Sequence, residues 1–320
     1  MTRPDTAPPT RIACIGAGLV GSAWACVFAR AGHDVVLFDA GGPEALDRSR
    51  VRIVGMLDVL HAHGTLTEPP ATILSRLTTA ATLDAVLSGV TYVQESARED
   101  LPTKRALFAA MADLTGPDVT LASSTSALPG SAFMDVTHPQ RALVAHPVNP
   151  PAFIPLVELC GSGLTSDATL DRTRSFMTSL GMRPVTLRRE IDGFLLNRLQ
   201  FTLVAEAMHL VGEGYCTPED IDAVITHGLA LRWATLGPFE VAHLNAPDGF
   251  QGFIDRLGPM MRHLGADART DYVWPDGLTQ AIHARMCDRI PLDALPARAS
   301  WRDGNILATR QMQSDRTGKV

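Results

Sequence analysis

The first half of the chain alternates short apolar runs with longer segments of helical spacing. The runs at 11–15, 33–39, 89–95 and 119–122 are rich in apolar and β-branched residues. Such short runs predict buried strands, whereas the periodic segments between them, as at 22–31 and 102–114, predict helices. Strands that alternate with helices indicate a doubly wound, mostly parallel sheet.

The pattern changes after a last predicted strand at 183–187, because the remaining apolar residues recur at helical spacing. Asp192 is expected to cap a helix that runs to about Glu213, and Thr217 to cap the next one. Further helices are predicted at 249–264, at 276–290 and from about residue 296. The chain is therefore expected to hold an α/β domain over residues 1–187 and an all-helical domain over residues 188–320.

A glycine-rich turn follows the first predicted strand directly. Its sequence is Gly16-Ala17-Gly18-Leu19-Val20-Gly21, and the second predicted strand ends in Asp39. The order strand, glycine turn, helix, strand and acid predicts a Rossmann-type dinucleotide site. Gly16 is expected to permit the tight turn, Gly18 to let a pyrophosphate approach the backbone, and Gly21 to let helix and strand pack closely.

Asp39 favours NAD over NADP as the cofactor. Its carboxylate can accept hydrogen bonds from the adenine ribose hydroxyls, whereas it would repel a 2′-phosphate. No arginine follows Asp39 directly to compensate. We therefore predict that residues 16–21 and Asp39 bind NAD, with the helix N-terminus facing the phosphates.

A second candidate site lies at 143–159, where His146 ends an apolar run and a proline-rich loop follows. Glu158 stands inside another apolar run, Leu156-Val157-Glu158-Leu159. A buried carboxylate needs a partner, because an unpaired buried charge is costly. His146 is the expected partner, and the acid would hold the imidazole in one tautomer as a general base. The alternative is a strand-end histidine and an outward-facing glutamate.

Two further segments carry candidate polar groups. Ser123-Ser124-Thr125-Ser126 follows the strand predicted at 119–122, at an end where doubly wound sheets bind ligands. One of its hydroxyls is expected to donate to a substrate oxygen, although such residues are also common in turns and caps. Asn197 has leucines at 195, 196 and 199, which predicts that it is partly buried, although an asparagine on a helix is more often a surface residue.

The composition and net charge argue against a nucleic-acid-binding protein and a membrane protein. The chain has 320 residues, 46% of them hydrophobic and 19% charged, with a net charge of −6. This balance gives no basic surface for nucleic acid or an anionic membrane, and no apolar run reaches the ~20 residues that span a bilayer. Residues 1–9 are polar and proline-rich, and we expect a frayed lead-in without a signal segment.

The cysteines predict reduced thiols in a cytoplasmic protein, because they are odd in number and lack the paired spacing of a metal site. They are Cys14, Cys26, Cys160, Cys216 and Cys287. No metal is expected.

Together these motifs resemble the 3-hydroxyacyl-CoA dehydrogenase superfamily, over residues 11 to about 311. The stretches that carry the resemblance are Gly16–Gly21, Ser123–Ser126, His146–Pro150, Pro155–Glu158 and Gly193–Leu199. It is strongest to the lambda-crystallin and L-gulonate 3-dehydrogenase branch. That branch is indicated by 146–151, 197–200, Gly228–Trp233, Gly237–Glu240, His243–Ala246 and Trp301–Asp303.

The resemblance implies catalytic roles for four residues. His146 would be the general base for the 3-hydroxyl proton, and Glu158 would orient it. Ser126 would hydrogen-bond the reacting oxygen, and Asn197 would help to place the substrate.

The resemblance also implies that Glu99 and Lys104 contact the ribose on the nicotinamide side. Ser124 would bind the cofactor where acyl-CoA members commonly have asparagine. This departure from the family's pattern weakens the hypothesis of a CoA substrate.

The positions of the arginines favour a small free acid over a CoA thioester as the substrate. The segment after the second strand holds Arg48, Arg50, Arg52 and Arg76 but no lysine from 48 to 77, which is few cations for CoA phosphates. Arg232 lies among apolar residues, where a guanidinium can clamp a small carboxylate with two hydrogen bonds. We hypothesise that it binds a short 3-hydroxy acid such as L-gulonate; a structural ion pair is the alternative.

The predicted function is NAD-dependent oxidation of the 3-hydroxyl of a small 3-hydroxy carboxylate. The alternatives are a 3-hydroxybutyryl-CoA dehydrogenase and an L-carnitine dehydrogenase, for which Trp233 and Phe239 are the nearby aromatic candidates for a trimethylammonium site. A crystallin-like structural protein or an NAD sensor would be of another class, but no motif residue is missing. The helical domain is expected to form a homodimer through residues beyond about 188.

Overall fold

The computed structural model describes residues 10–317, so the lead-in expected at 1–9 lies outside it. Eight strands form one sheet in the order β3-β2-β1-β4-β5-β6-β7-β8. They are β1 (Arg11–Ile15), β2 (Asp34–Phe38), β3 (Leu77–Thr79), β4 (Tyr92–Glu95), β5 (Thr120–Ser123), β6 (Ala142–Pro147), β7 (Leu156–Gly161) and β8 (Arg183–Thr186). Neighbouring strands are parallel except β6 and β7, which are antiparallel. The predicted doubly wound, mostly parallel sheet is confirmed.

The central strands are buried on both faces, because helices flank the sheet. Every residue of β4, β5 and β6 is buried, and so are four of the five in β1. The flanking helices are α1 (Leu19–Arg30), α2 (Gly42–Ala62), α3 (Pro70–Leu74), α4 (Leu83–Leu87), α5 (Leu101–Leu114) and α6 (Asp167–Ser179). This packing fixes the carboxyl ends of β1, β2 and β5, which the glycine turn, Asp39 and the turn with Ser126 follow.

The rest of the described chain is helical, as predicted. It holds α7 (Leu196–Gly212), α8 (Pro218–Val224), a π-helical turn (Ile225–Leu229), α9 (Ala230–Trp233), α10 (Pro238–Leu244), α11 (Gly249–Asp267), α12 (Leu278–Arg289) and α13 (Leu295–Thr317). The chain divides into two compact units between Asn197 and Arg198. The domain boundary after residue 187 stays a prediction. Among the described residues, no helix is both long and apolar enough to cross a membrane.

From the sequence, residues 43–78 are predicted to form one or two helices broken near Gly64 and Pro69-Pro70, and this prediction is wrong at its end. The expected break is present, since Gly64 takes a positive φ and α3 begins at Pro70. Leu77–Thr79, however, forms the edge strand β3. A strand of three partly exposed residues leaves no apolar run by which to recognise it.

The predicted cap of α7 is also wrong. The helix begins at Leu196, four residues after Asp192, because Gly193 and Phe194 both take positive φ angles of 74° and 51°. By contrast, Thr217 caps α8 as expected, and its side chain and that of Asp220 form a reciprocal capping box.

Candidate active site

The glycine turn has the conformation that its sequence predicts. Gly16 has a φ of 92°, and a Cβ there would lie 2.6 Å from the Ser96 carbonyl oxygen. A Cβ on Gly21 would lie 1.9 Å from the Gly16 oxygen. The expected steric roles of Gly16 and Gly21 are therefore confirmed.

Gly18 lies where the turn meets the N-terminus of α1, and no side chain caps that terminus. A Cβ on Gly18 would meet no protein atom within 4 Å. Gly18 and Leu19 are exposed, Val20 is half-buried and Ala17 is buried. Uncapped N–H groups beside an open backbone suit an anionic pyrophosphate, so the residues present fit NAD.

Alanine at Gly18 and at Gly21 is expected to have opposite effects. Gly18→Ala should fold with an unchanged melting temperature but bind NAD about tenfold more weakly, because its methyl occupies the side that the phosphate approaches. Gly21→Ala should lose about 3 kcal/mol of unfolding free energy or more, because its methyl collides with the Gly16 carbonyl. Thermal melts and NADH titration measure both. Full NAD affinity in Gly18→Ala would contradict the assignment.

Asp39 secures the glycine turn at the carboxyl end of β2. Its Oδ2 accepts a hydrogen bond from Ala17 N at 2.6 Å, and its Oδ1 accepts one from Gly41 N at 2.8 Å. Each carboxylate oxygen keeps acceptor capacity beyond one bond. Accepting bonds from ribose hydroxyls therefore stays a prediction that the geometry allows.

A cavity of about 400 Å³ opens beside Asp39, among residues of β2, α2 and the β3 end. Apolar residues such as Leu37, Leu46 and Ile53 supply much of its lining. Such a cavity next to a ribose-binding acid suits the adenine end of NAD. Sequence reasoning missed it because β3 was missed. Arg50 lines this cavity together with Asp39, so the cavity holds a cation as well as the acid.

His146 and Glu158 face each other across the antiparallel strands β6 and β7. His146 Nδ1 lies 2.9 Å from Glu158 Oε2, and both side chains are buried. The Phe194 ring packs against the imidazole with 5.2 Å between centroids. The predicted pairing is confirmed, and the outward-facing glutamate is wrong. When Nδ1 donates its proton to the carboxylate, Nε2 carries the lone pair.

The second oxygen of Glu158 holds the start of α7. Oε1 accepts hydrogen bonds from Leu195 N at 2.8 Å and Leu196 N at 3.1 Å. This carboxylate, distant in sequence, thus replaces the local cap expected from Asp192, and its charge suits a helix N-terminus. Asn197 follows directly, so Glu158 fixes the backbone beside a second predicted site residue.

Asn197 is half-buried, and its Nδ2 donates to the Ser126 carbonyl at 2.9 Å. The structure thus brings together two residues that lie far apart in sequence. Ser126 itself is exposed in the turn that follows β5. Their contacts with substrate stay predictions.

Glu99 organises that same turn. Its Oε1 accepts hydrogen bonds from Thr125 Oγ1 at 2.5 Å, Ser126 N at 2.9 Å and Ala127 N at 3.1 Å. Burial by itself would raise the pKa of Glu99, but these hydrogen bonds and the Lys104 ammonium lower it below its usual range. Glu99 is therefore ionised at neutral pH, and its contact with the ribose stays a prediction.

Two other predicted cofactor residues have polar protein partners. Lys104 is fully buried, and its Nζ pairs with Glu95 and Glu99. Ser124 Oγ accepts hydrogen bonds from Trp24 Nε1 at 3.1 Å and Gln94 Nε2 at 2.8 Å. Direct contact of either residue with NAD stays a prediction.

Sequence reasoning missed Glu95, Gln94 and Trp24. Glu95 had a recognisable signal, since it is an acid that ends an apolar strand and precedes a lysine on the following helix.

Arg232 lies in α9 of the second unit and is exposed. Within the described part of the chain it forms no salt bridge, so the alternative of a structural ion pair gains no support. Trp233 and Phe239 are exposed as well. Among residues 10–317, no three His, Cys, Asp or Glu side chains gather in a way that could hold a metal ion.

One Rossmann-type sheet carries both the glycine turn after β1 and the buried His–Glu pair on β6 and β7, and this combination is that of an NAD-dependent oxidoreductase. Residues 11–191 match the 3-hydroxyacyl-CoA dehydrogenase NAD-binding domain, and residues 193–270 match the C-terminal domain of that family. The chain belongs to the 3-hydroxyacyl-CoA dehydrogenase family, whose members act on 3-hydroxy substrates with NAD.

Relatives also support the predicted branch. The chain is 39% identical to a lambda-crystallin homolog of Bos taurus, covering 98% of each sequence. It is 38% identical to an L-carnitine dehydrogenase of Streptomyces griseus, covering 78% of this chain and 74% of that protein. The solved 5-formyl-3-hydroxy-2-methylpyridine 4-carboxylic acid 5-dehydrogenase has a TM-score of 0.82 and 25% identity, with 96% of this chain and 99% of that one covered.

Proposed function

We propose that the protein catalyses the NAD-dependent oxidation of the 3-hydroxyl group of a small 3-hydroxy carboxylate, as an L-gulonate 3-dehydrogenase does. The observation that carries this proposal is the buried hydrogen bond of 2.9 Å between His146 Nδ1 and Glu158 Oε2. It leaves Nε2 of the imidazole as the atom that accepts a proton. Bound NAD supplies the acceptor for the hydride that leaves the carbinol carbon.

His146 takes the hydroxyl proton at Nε2, and the carboxylate of Glu158 stabilises the imidazolium that results. Ser126 donates a hydrogen bond to the reacting oxygen, and Asn197 helps to orient the substrate beside it. Burial of the His–Glu pair limits competing hydrogen bonds from water. Oxidation requires the uncharged imidazole, because only that form has a lone pair on Nε2 to take the hydroxyl proton.

The cations after β2 favour a free acid over a CoA thioester, because two of them are bound to protein groups. Arg76 forms hydrogen bonds of 2.6 Å and 3.0 Å with the two oxygens of Glu68. Arg52 donates to the Ala17 carbonyl at 3.3 Å. We assign the carboxylate of the substrate to Arg232, which is exposed and has no salt-bridge partner among the described residues.

A substrate panel tests the proposed activity. Absorbance of NADH would be followed with NAD and L-gulonate, L-carnitine, 3-hydroxybutyrate or 3-hydroxybutyryl-CoA. We expect the highest kcat/KM with L-gulonate. A higher kcat/KM with L-carnitine would contradict L-gulonate as the substrate and favour an L-carnitine dehydrogenase, the name of one group of relatives. No signal with any compound would favour a crystallin-like or NAD-sensing protein.

Arg232→Met is expected to raise KM for the acid about 100-fold with little change in kcat, because it removes a bidentate, charge-assisted contact. Steady-state kinetics at saturating NAD measure both constants. Arg256→Met is the matched control, since it removes a cation of the same unit that pairs with Asp248 at the surface. An unchanged KM in Arg232→Met would exclude the carboxylate clamp.

We propose in addition that the protein is a homodimer through its helical part. In the described residues of the second unit, only six residues are buried: Ala242, Ala246, Gly252, Gly258, Asp303 and Leu307. Large apolar side chains such as Phe201, Phe239 and Leu244 are exposed there, and a second copy would cover them. Light scattering at micromolar concentration should give twice the 34.3 kDa of one chain, and a mass of one chain would contradict the proposal.

The proposed location is the cytoplasm. All five cysteines are free, and three of them are buried, as expected where thiols stay reduced.

A further inference from the structure

Glu95 is a fully buried carboxylate at the carboxyl end of β4, and the mechanism above does not use it. Its Oε1 accepts hydrogen bonds from Ala97 N at 2.7 Å and Lys104 Nζ at 2.9 Å. Its Oε2 accepts them from Ser123 Oγ at 2.5 Å and Lys104 Nζ at 3.0 Å. A buried carboxylate with this many donors is held in one orientation, so it can serve as a fixed anchor.

Lys104 links this anchor to a second carboxylate. Its ammonium is fully buried, and it lies 3.4 Å from Glu99 Oε2 as well as in contact with both oxygens of Glu95. A buried ammonium keeps its charge only if it stays close to opposite charges. The position of Lys104, and with it that of Glu99, therefore depends on the charge of Glu95.

Glu99 holds the turn at 125–127 by hydrogen bonds, so the position of this turn depends on the position of Glu99. The amides of Ser126 and Ala127 and the hydroxyl of Thr125 all donate to its Oε1. Ser126 and Ala127 are exposed, so packing does little to hold them. The same turn carries the Ser126 hydroxyl and the carbonyl that Asn197 binds.

We propose that Glu95 is a positioning residue for the reaction. Acting through Lys104 and Glu99, it fixes the turn at 125–127, and thereby the Ser126 hydroxyl at the reacting oxygen. This inference rests on the proposed function, because it assumes that Ser126 contacts the substrate. The three side chains alternate in charge, negative, positive and negative, so loss of the first charge shifts the other two.

The test replaces the charge of Glu95 with an amide of the same shape. In Glu95→Gln, kcat should fall about 10²-fold while KM for the acid changes little, because a small displacement of a reacting group has effects of that size. Hydrogen exchange at the Ser126 and Ala127 amides should accelerate at least about tenfold, because their common acceptor moves. Glu68→Gln is the matched control, since it alters another ion pair, with Arg76; it should leave both quantities unchanged.

Two outcomes would overturn the inference. A folded Glu95→Gln with wild-type amide protection would exclude the route through Glu99, and one with wild-type kcat would exclude a role in positioning. If Glu95→Gln does not fold, Glu95→Asp decides by the same two measurements, because it keeps the negative charge but draws the carboxylate back from Lys104 and Ser123 by one methylene. If the wild-type protein oxidises no compound of the panel, the proposed function fails, and amide exchange alone decides whether Glu95 holds the turn.

Discussion

His146→Gln is expected to lower kcat by about 10³-fold, because it removes the base that takes the hydroxyl proton. Glutamine is uncharged and close to histidine in size, and Glu158 holds the start of α7 through its other oxygen, so the fold should be kept. The glycine turn is untouched, so NADH affinity should stay near that of the wild type. Steady-state kinetics and NADH titration separate the two effects.

His63→Gln is the control for that substitution. His63 is exposed after α2, and its ring contacts the Val59 carbonyl of its own helix. The same chemical change there should leave kcat unaltered. A His146→Gln enzyme that keeps kcat within about threefold of the wild type would show that His146 is not the base.

Glu158→Gln is expected to lower kcat by about 10²- to 10⁴-fold, although no catalytic atom is removed. The carboxylate makes only accepting contacts, from the imidazole on one oxygen and from Leu195 N and Leu196 N on the other. An amide has one accepting and one donating end. With its NH₂ towards His146, it would donate to Nδ1 and move the imidazole proton to Nε2, where the base is needed.

The opposite orientation of the substituted amide fails for another reason. Its NH₂ would then face the amides of Leu195 and Leu196, and donors would oppose donors at the start of α7. We therefore expect a lower melting temperature as well as the loss of kcat. Glu190→Gln is the matched control, since Glu190 accepts one hydrogen bond, from Ser131 N, and has no contact with the imidazole in the described structure. Wild-type kcat in Glu158→Gln would contradict the role of Glu158.

The parts of the fold that could be predicted are those with local signals. The glycine turn, its flanking strands and the capping box at Thr217 depend on residues within a few positions of one another. The long helices α11 and α13 follow from periodic spacing. Such elements leave their pattern in a continuous stretch of sequence, whether or not the rest of the chain is known.

Elements that depend on distant partners could not be predicted. The strand β3 has three residues and pairs only at the edge of the sheet. The start of α7 is set by Glu158, which lies 37 positions before Leu195. A nearby aspartate looked like a sufficient cap, because the sequence does not show which carboxylate reaches the helix.

The candidate site shows the same division. His146 and Glu158 could be paired in advance, because each is a polar residue inside an apolar run and such residues need partners. The contacts that hold Ser126 could not be predicted, because they join three separate elements. Glu95 lies in β4, Glu99 in the loop after it and Lys104 in α5. Their side chains meet only after the sheet and helix have packed.

The direct pairing of His146 with Glu158 across β6 and β7 makes strand alignment a condition for chemistry. Successive side chains of a strand point to opposite faces of a sheet, so a slip of one residue would send the acid to the far side from the base. A protein misaligned in this way could remain compact and still bind its nucleotide. Catalytic turnover therefore reports whether β6 and β7 pair in the correct register. The melting temperature and the affinity for the cofactor do not report it.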